Sequence, residues 1–232
     1  MRQPVVVTDV PRPEAALVEQ LAAYGVATVH EALGKEGLLQ PYLRPIYPEA
    51  RVAGVAVTVL CPPGDNLMVH AAIEVCQPGD VLVVATEAPS TDGMFGELLA
   101  TSARAHGVVG LVIDAGVRDV ATLSAMRFPV WSRAISARGT VKETPGAVNI
   151  PVVCGGALIK PGDVILGDAD GVVCIPRQML AQTIAQAAAR TARENATRER
   201  LAAGELGLDL YGLRSKLKAL GVTYVRYDEW EG

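Results

Sequence analysis

The chain has 232 residues, half of them hydrophobic and a fifth charged, with a formal net charge of -4 and no basic run. That length accommodates one sizeable core, and the acidic balance argues against nucleic acid or an anionic membrane surface as the main partner, leaving a small molecule. Cys61, Cys76, Cys154 and Cys174 lie in apolar stretches without CxxC spacing and read as buried thiols of a reducing compartment; with no long apolar segment at the N-terminus, a cytoplasmic protein without a membrane span is expected.

In chain order, PEAALVEQLAAYG at 13–25 has helical apolar spacing, with a proline in its first turn and Gly25 placed as a C-cap. VATVHEALG predicts a second short helix. RVAGVAVTVLC at 51–61 predicts a strand, DNLMVHAAIEVC at 65–76 a helix capped by Asp65, and DVLVVAT at 80–86 another strand. DGMFGELLATSARAHG at 92–107 predicts a helix throughout, and VVGLVID at 108–114 a strand buried on both faces that ends at Asp114. The texture then changes. FPVWSRAIS, GTVKE, IPVVCGGALI, DVILGDAD and GVVCIP are short strand candidates joined by glycine and proline turns. Pro-Gly-Asp recurs at 63–65, 78–80 and 161–163 as a reused tight turn. A long helix is predicted over 177–204, and its second half is polar all round, so it is solvated or reaches another subunit; a short helix closes the tail.

No nucleotide-binding glycine loop, zinc-protease helix or serine-hydrolase elbow is present in the sequence. His30, His70 and His106 read as helix residues, with His30 and His70 as possible pocket residues. Lys35, Lys142, Lys160, Lys216 and Lys218 sit in turns or charged helices, and none reads as the desolvated amine of Schiff-base catalysis. Two segments remain, TDGMFGELLATS and DAGVRD. In the first, Gly93 and Gly96 allow close backbone approach, and the amides of Glu97, Leu98 and Leu99 would open a helix, where unpaired N–H groups bind anions. In the second, Arg118 follows the end of a strand and can clamp a carboxylate, while Asp119 suits a hard cation such as Mg²⁺. A plainer account fits the same residues: Asp119 caps the helix VATLSAM, Arg118 pairs with Asp114 or Asp92, and the glycines permit tight helix packing.

YGVATVHEALGKEGLL, GVAVTVLCPPGDNLMVHAA, TDGMFGELLATSARAHGVVGLVIDAGVRDVATL, GTVKETPGAVNIPVVCGGALIKPGDVILGDADGVVCIP and GELGLDLY together resemble the 4-hydroxy-4-methyl-2-oxoglutarate and 4-carboxy-4-hydroxy-2-oxoadipate aldolases, relatives of the regulators of ribonuclease E activity. The resemblance runs from about residue 20 to about residue 213. It implies an α/β/β layered sandwich like the swivelling phosphohistidine domain, with a core over 1–176 and a helical extension over 177–232 that packs on a neighbouring subunit of a trimer or hexamer. It implies a class II pyruvate aldolase that uses Mg²⁺ or Mn²⁺, with oxaloacetate decarboxylation as a side activity. Asp119 falls on the family's metal-binding aspartate and Arg118 on its essential arginine. Gly96, Leu98 and Leu99, with Arg118, fall on the substrate-binding positions. Glu97 and Glu194 fall on carboxylates that reach the metal through water, Glu194 from the neighbouring subunit, with Glu199 as its rival. Glu97 departs from the aspartate common at its position. Arg127 and Tyr42 are further guesses for the pocket. A non-catalytic regulator resembling the ribonuclease E inhibitors and a dedicated oxaloacetate decarboxylase are the alternatives; the long polar helix and tail resemble the aldolase branch.

Overall fold

Runs of valine, isoleucine and leucine between glycine and proline turns decide the centre of the molecule, because β-branched side chains suit a pleated, buried surface. The computed structural model describes residues 3–230. The first half contains β1 (Val5–Val6), α1 (Ala15–Leu21), α2 (Val26–Ala32), β2 (Arg44–Pro45), β3 (Val52–Cys61), α3 (Leu67–Glu74), β4 (Asp80–Thr86), β5 (Gly93–Phe95), α4 (Glu97–Ala105) and β6 (Gly110–Val117). It continues through α5 (Val120–Ala125), β7 (Val130–Ile135), β8 (Ala147–Val148), β9 (Val152–Cys154), β10 (Ala157–Ile159), β11 (Val164–Asp168) and β12 (Gly171–Ile175). The C-terminal helices are α6 (Leu180–Ala202), α7 (Gly207–Leu210) and α8 (Leu213–Ala219).

The main sheet runs β1-β8-β3-β4-β6-β7-β2, with parallel pairing from β3 through β4 and β6 to β7. β11 adds antiparallel to the first half of β3, and β5 lies parallel to β6. Alternate residues of the strands face opposite layers. Val57, Val59, Leu82, Val84, Leu111 and Ile113 pack against Val69 and Ile73 of α3, Leu99 and Ala103 of α4, and Leu123 of α5. On the other face, Ala56, Val81, Val83 and Val112 pack against the β9–β10 hairpin through Val152, Cys154 and Ile159, and against Ile165 and Val172. The result is the expected α/β/β sandwich. A third cluster joins α1 and α2 to β11, β12 and the buried first turns of α6.

Several local expectations are corrected. Gly25 does not end α1; it is the N-cap of α2, whose Val26 amide donates to Asp168 across the chain at 2.8 Å. The segment 92–107 is not helical throughout: β5 precedes α4, since Gly93 and Phe95 find parallel partners on β6. β6 runs on past Asp114 to Val117. GTVKE forms only an isolated bridge from Val141 to Asp65. α3 begins at Leu67, with Asn66 as its N-cap.

The three Pro-Gly-Asp copies do form one kind of turn, with Gly64, Gly79 and Gly162 at φ of 72°, 91° and 85°. Their aspartates are all buried, and each carboxylate takes backbone N–H groups that would otherwise lack partners. Two compact units result, Met1–Ala188 and Ala189–Gly232. In the second, no described residue is buried, and Tyr211, Leu220, Tyr224 and Trp230 are exposed. No described helix is long and apolar enough to cross a membrane.

Candidate active site

Parallel pairing of β5 with β6 brings the two glycine-flanked segments together. Gly93 pairs with Gly116 and Phe95 with Val117, and the Arg118 amide donates to the Phe95 carbonyl at 2.9 Å. The next residues on each chain, Gly96 and Asp119, then start α4 and α5 side by side. Asp119 sits in the left-handed region at φ 57°, ψ 33°, which aspartate tolerates better than most residues. Although it occupies the N-cap position of α5, its carboxylate does not cap that helix. It turns to α4, where the Glu97 amide donates to Oδ2 at 3.1 Å.

Arg118 lies beside this carboxylate, Nε to Oδ2 at 3.7 Å. It pairs with neither Asp114 nor Asp92: Asp114 accepts from Arg133 at 2.8 Å, and Asp92 faces Arg138. Glycine at 96 is required by contact, since a Cβ there would sit 2.4 Å from Asp119 Oδ2 and 3.0 Å from Arg118 Cγ. At Gly93 a Cβ would meet the Ser136 carbonyl at 2.4 Å. The glycines therefore serve close approach of strand to strand and turn to turn.

Glu97, Leu98 and Leu99 supply the first-turn amides of α4. The Glu97 N–H is taken by Asp119; those of Leu98 and Leu99 precede any carbonyl that could accept them within the helix. Here backbone dipoles favour an anion. Leu99 is buried, whereas the Leu98 side chain is 78% exposed. The Glu97 carboxylate accepts from Thr101 at 2.9 Å along its own helix.

These groups line a cleft of about 500 Å³ whose walls also include Asn66, His70, Met94, Thr122 and Lys142. His70 is thus in the pocket and His30 is not. Tyr42 and Arg127 lie elsewhere: Tyr42 donates to Asp114 under the Arg133 guanidinium, and Arg127 packs over Tyr47. Burial lowers the His70 pKa, and the nearby Lys142 charge lowers it further. Asn66 and Lys142 reach the cleft through a staple invisible in linear sequence. Asp65 accepts N–H groups from Leu67 at 2.9 Å, Glu143 at 2.9 Å and Thr144 at 2.6 Å, tying the 141–144 loop to the start of α3.

Among the described residues, no three acidic, histidine or cysteine side chains gather into a metal cage. The donors present still fit a hard cation. Asp119 keeps a second carboxylate oxygen, Glu97 lines the same cleft, and Mg²⁺ or Mn²⁺ commonly takes one or two protein carboxylates and completes its shell with water and ligand oxygens. Glu194 belongs to the second unit, where Arg190 contacts it at 2.7 Å, and Glu199 lies exposed in that unit.

The chain resembles a Halalkalibacterium halodurans protein provisionally named 4-hydroxy-4-methyl-2-oxoglutarate aldolase, with 32% identity over 187 residues, covering 81% of this chain and 89% of that protein. Its fold matches an uncharacterized protein from Pseudomonas syringae pv. tomato at a TM-score of 0.77 and 25% identity, covering 86% of this chain and 94% of the other. It also matches a Streptomyces coelicolor protein described as an unusual member of the RNase ES inhibitor RraA protein family, at a TM-score of 0.73 and 27% identity, covering 81% and 98%. The RraA-like family model, Aldolase/RraA, spans residues 26–174, from the first residue of α2 into β12, and so takes in both segments of the cleft; the chain belongs to the Aldolase/RraA family.

Proposed function

We propose that this protein is a class II pyruvate aldolase that cleaves the C3–C4 bond of 4-hydroxy-4-methyl-2-oxoglutarate, of 4-carboxy-4-hydroxy-2-oxoadipate, or of both. The products are pyruvate and either a second pyruvate or oxaloacetate. One observation carries the reading: Asp119 is fixed on the α4 amide beside Arg118, next to two first-turn amides without helical partners. The name of the Halalkalibacterium relative supports it.

In this reading the Leu98 and Leu99 amides, flanked by Gly96, take the C1 carboxylate. Arg118 faces the C2 keto oxygen, where negative charge develops as the bond breaks. Asp119 would hold Mg²⁺ or Mn²⁺ with help from Glu97 through water, and the cation would supply Lewis-acid stabilisation of the negative charge that develops. The C4 hydroxyl loses its proton to a water held near Arg118 as the C4 carbonyl forms, the C3–C4 electron pair passes into the enolate, and the same water returns the proton to C3 to give pyruvate. Loss of CO₂ from oxaloacetate leaves the same enolate, so decarboxylation accompanies aldol cleavage.

The reading includes a homo-oligomer, a trimer or hexamer with the site at a subunit interface, in the cytoplasm. Arg118 and Asp119 are 48% and 44% exposed, and a second copy covering them would strengthen their electrostatics. The exposed apolar side chains of the second unit support packing of the outer part of the 177–232 extension on a neighbour, while Leu180, Ile184 and Ala187 stay in this chain's own core; the neighbour contributes Glu194 in preference to Glu199.

The experiment measures pyruvate release from both aldol substrates and from oxaloacetate, using metal-stripped protein before and after addition of Mg²⁺ or Mn²⁺, alongside Arg118→Ala. Metal-dependent release that Arg118→Ala abolishes is the expected result. Release from oxaloacetate alone identifies a dedicated decarboxylase. No release from any substrate favours a protein-binding regulator, the reading that the Streptomyces relative's description supports.

A further inference from the structure

Arg118 is the charged group on which the proposed chemistry turns, yet little polar contact fixes it. Among the described residues its guanidinium makes no hydrogen bond, and its ion pair with Asp119 is long, at 3.7 Å, with the side chain 48% exposed. An arginine with that exposure samples many rotamers, and each aims its N–H groups differently.

What flanks the side chain is glycine. A Cβ on Gly93 would stand 3.3 Å from Arg118 Cβ, and one on Gly96 would stand 3.0 Å from Cγ and 3.3 Å from Nε. A Cβ on Gly139 would stand 3.3 Å from Nη1. The three positions come from the start of β5, the N-cap of α4 and the segment after β7, and they follow the arginine from root to tip. Each distance is shorter than ordinary contact, so only a residue without a side chain leaves the arginine its room.

Gly139 belongs to a segment fixed to the strands that carry Arg118. The Ser136 amide donates to the carbonyl of Val117, the residue before Arg118, at 2.9 Å, and the Arg138 carbonyl accepts from the Gly93 amide at 2.7 Å. The Arg138 amide donates to Ser136 Oγ at 3.2 Å, and its guanidinium faces Asp92 at 3.3 Å. The outer wall of the channel is therefore tied by backbone hydrogen bonds to the root of the side chain it confines. Gly139 also has the simplest surroundings of the three. An added Cβ at Gly96 or Gly93 meets Asp119 or the Ser136 carbonyl at 2.4 Å, whereas at Gly139 it meets Arg118 Nη1 and nothing else within 4 Å, and the φ of Gly139 lies outside the left-handed region.

From this geometry we infer that Gly139 is a positioning residue for Arg118: with Gly93 and Gly96 it forms a channel that aims the guanidinium by shape and leaves its N–H groups free for the oxygens of a ligand. Glycine at 139 serves the arginine and not the local turn. The inference rests on the aldolase reading for the role of Arg118 at the keto oxygen, but binding, not turnover, tests it.

The test is calorimetric titration of the full-length protein in Mg²⁺ with oxalate, a planar dianion shaped like the pyruvate enolate. Gly139→Ala and Gly139→Val are compared in the Arg118 protein and in Arg118→Lys. Lysine keeps the charge but ends one bond short of Nη1, so a side chain at 139 has no guanidinium to displace. In the Arg118 protein, alanine shifts the guanidinium by a few tenths of an ångström and weakens oxalate about threefold, and valine shifts it by about 1 Å and weakens oxalate about thirtyfold. In Arg118→Lys both losses shrink to within about twofold, the coupling expected of residues in direct contact. Thermal midpoints within about 2 °C of each parent show that the fold is intact. Equal losses in the two backgrounds overturn the inference, because the segment then acts on the cleft without Arg118; full oxalate affinity in Gly139→Val overturns it as well. Pyruvate release from the aldol substrates is followed in parallel. With no release but losses that depend on Arg118, the aldolase reading falls and the channel stands; with release but losses independent of Arg118, the channel falls and the reading stands. A wild-type protein that does not bind oxalate overturns both.

Discussion

Gly96→Ala isolates the contact on which the site depends. The added Cβ would stand 2.4 Å from Asp119 Oδ2, and ordinary contact begins at 3.4 Å, so the carboxylate must retreat by about 1 Å. Backbone strain does not contribute, because φ -154° and ψ -167° at this position are extended values open to alanine. The Glu97 amide, now 3.1 Å from Oδ2, loses its acceptor. A hydrogen bond to a charged group contributes about 1.5–3 kcal/mol when shielded. Asp119 is 44% exposed, so solvent screening brings the stability cost down to about 1 kcal/mol, or about 2–4 °C in Tm for a chain of this size. On the proposed aldolase reading the effect on turnover is larger, since a catalytic group misplaced by about 1 Å costs about 100-fold in rate. Thermal unfolding followed by circular dichroism and pyruvate release in saturating Mg²⁺ separate the two. A variant that keeps wild-type kcat/KM would refute the claim that the α4 amide must hold Asp119 in place.

Three further outcomes are expected. Burial alone would raise the Asp65 carboxyl pKa, but the Leu67, Glu143 and Thr144 amides outweigh it and hold it below the usual range. Its stabilisation is therefore complete above the unfolded carboxyl value near pH ~4 and is lost as pH falls through the lower folded value; Asp65→Asn should cost about 2–3 kcal/mol at pH 6 in urea unfolding, with the gap closing in acid. A gap unchanged at pH 2.5 contradicts this. The His70 imidazole titrates below its ordinary value through burial first and Lys142 second, so Lys142→Met should move its NMR titration upward without restoring the ordinary value; no movement would separate the two residues. Burial pushes the Cys61 and Cys76 thiols up to about 12, and those of Cys154 and Cys174 higher still. Maleimide at pH 7 should label the four thiols slowly in the native protein and fully in guanidinium, and rapid native labelling would show that the sheet opens.

The strands that build the core were legible because β-branched runs carry their own signal: Val52–Cys61 and Asp80–Thr86 match the segments read from sequence almost residue for residue. Gly96, Glu97, Leu98, Leu99, Arg118 and Asp119 could be singled out because helix-start amides and a charged turn after a strand have local signatures. Their proximity had no such signature. β5 is three residues long and reads as part of a helix until β6 offers it a parallel partner. Asp114 looked like a member of the charged turn, yet it lies inside β6, and pleat alternation sends it to Arg133 and Gly155 on the hairpin side.

By itself, the sequence determined an alternating helix-and-strand half followed by a β-rich half, the reuse of one tight turn and the residues most able to hold an anion and a cation, while the layered sandwich was what the family resemblance implied. Those properties follow from periodicity, from the conformational freedom of glycine and from side-chain chemistry, all of which act within a few residues. Tertiary structure alone decided that Asp119 serves α4 instead of α5, and that Asp65 ties Lys142 and Asn66 to one wall of the cleft. Both outcomes depend on buried carboxylate and amide groups finding partners far away in the chain, and that matching is settled only when the sheet sets the distances between them.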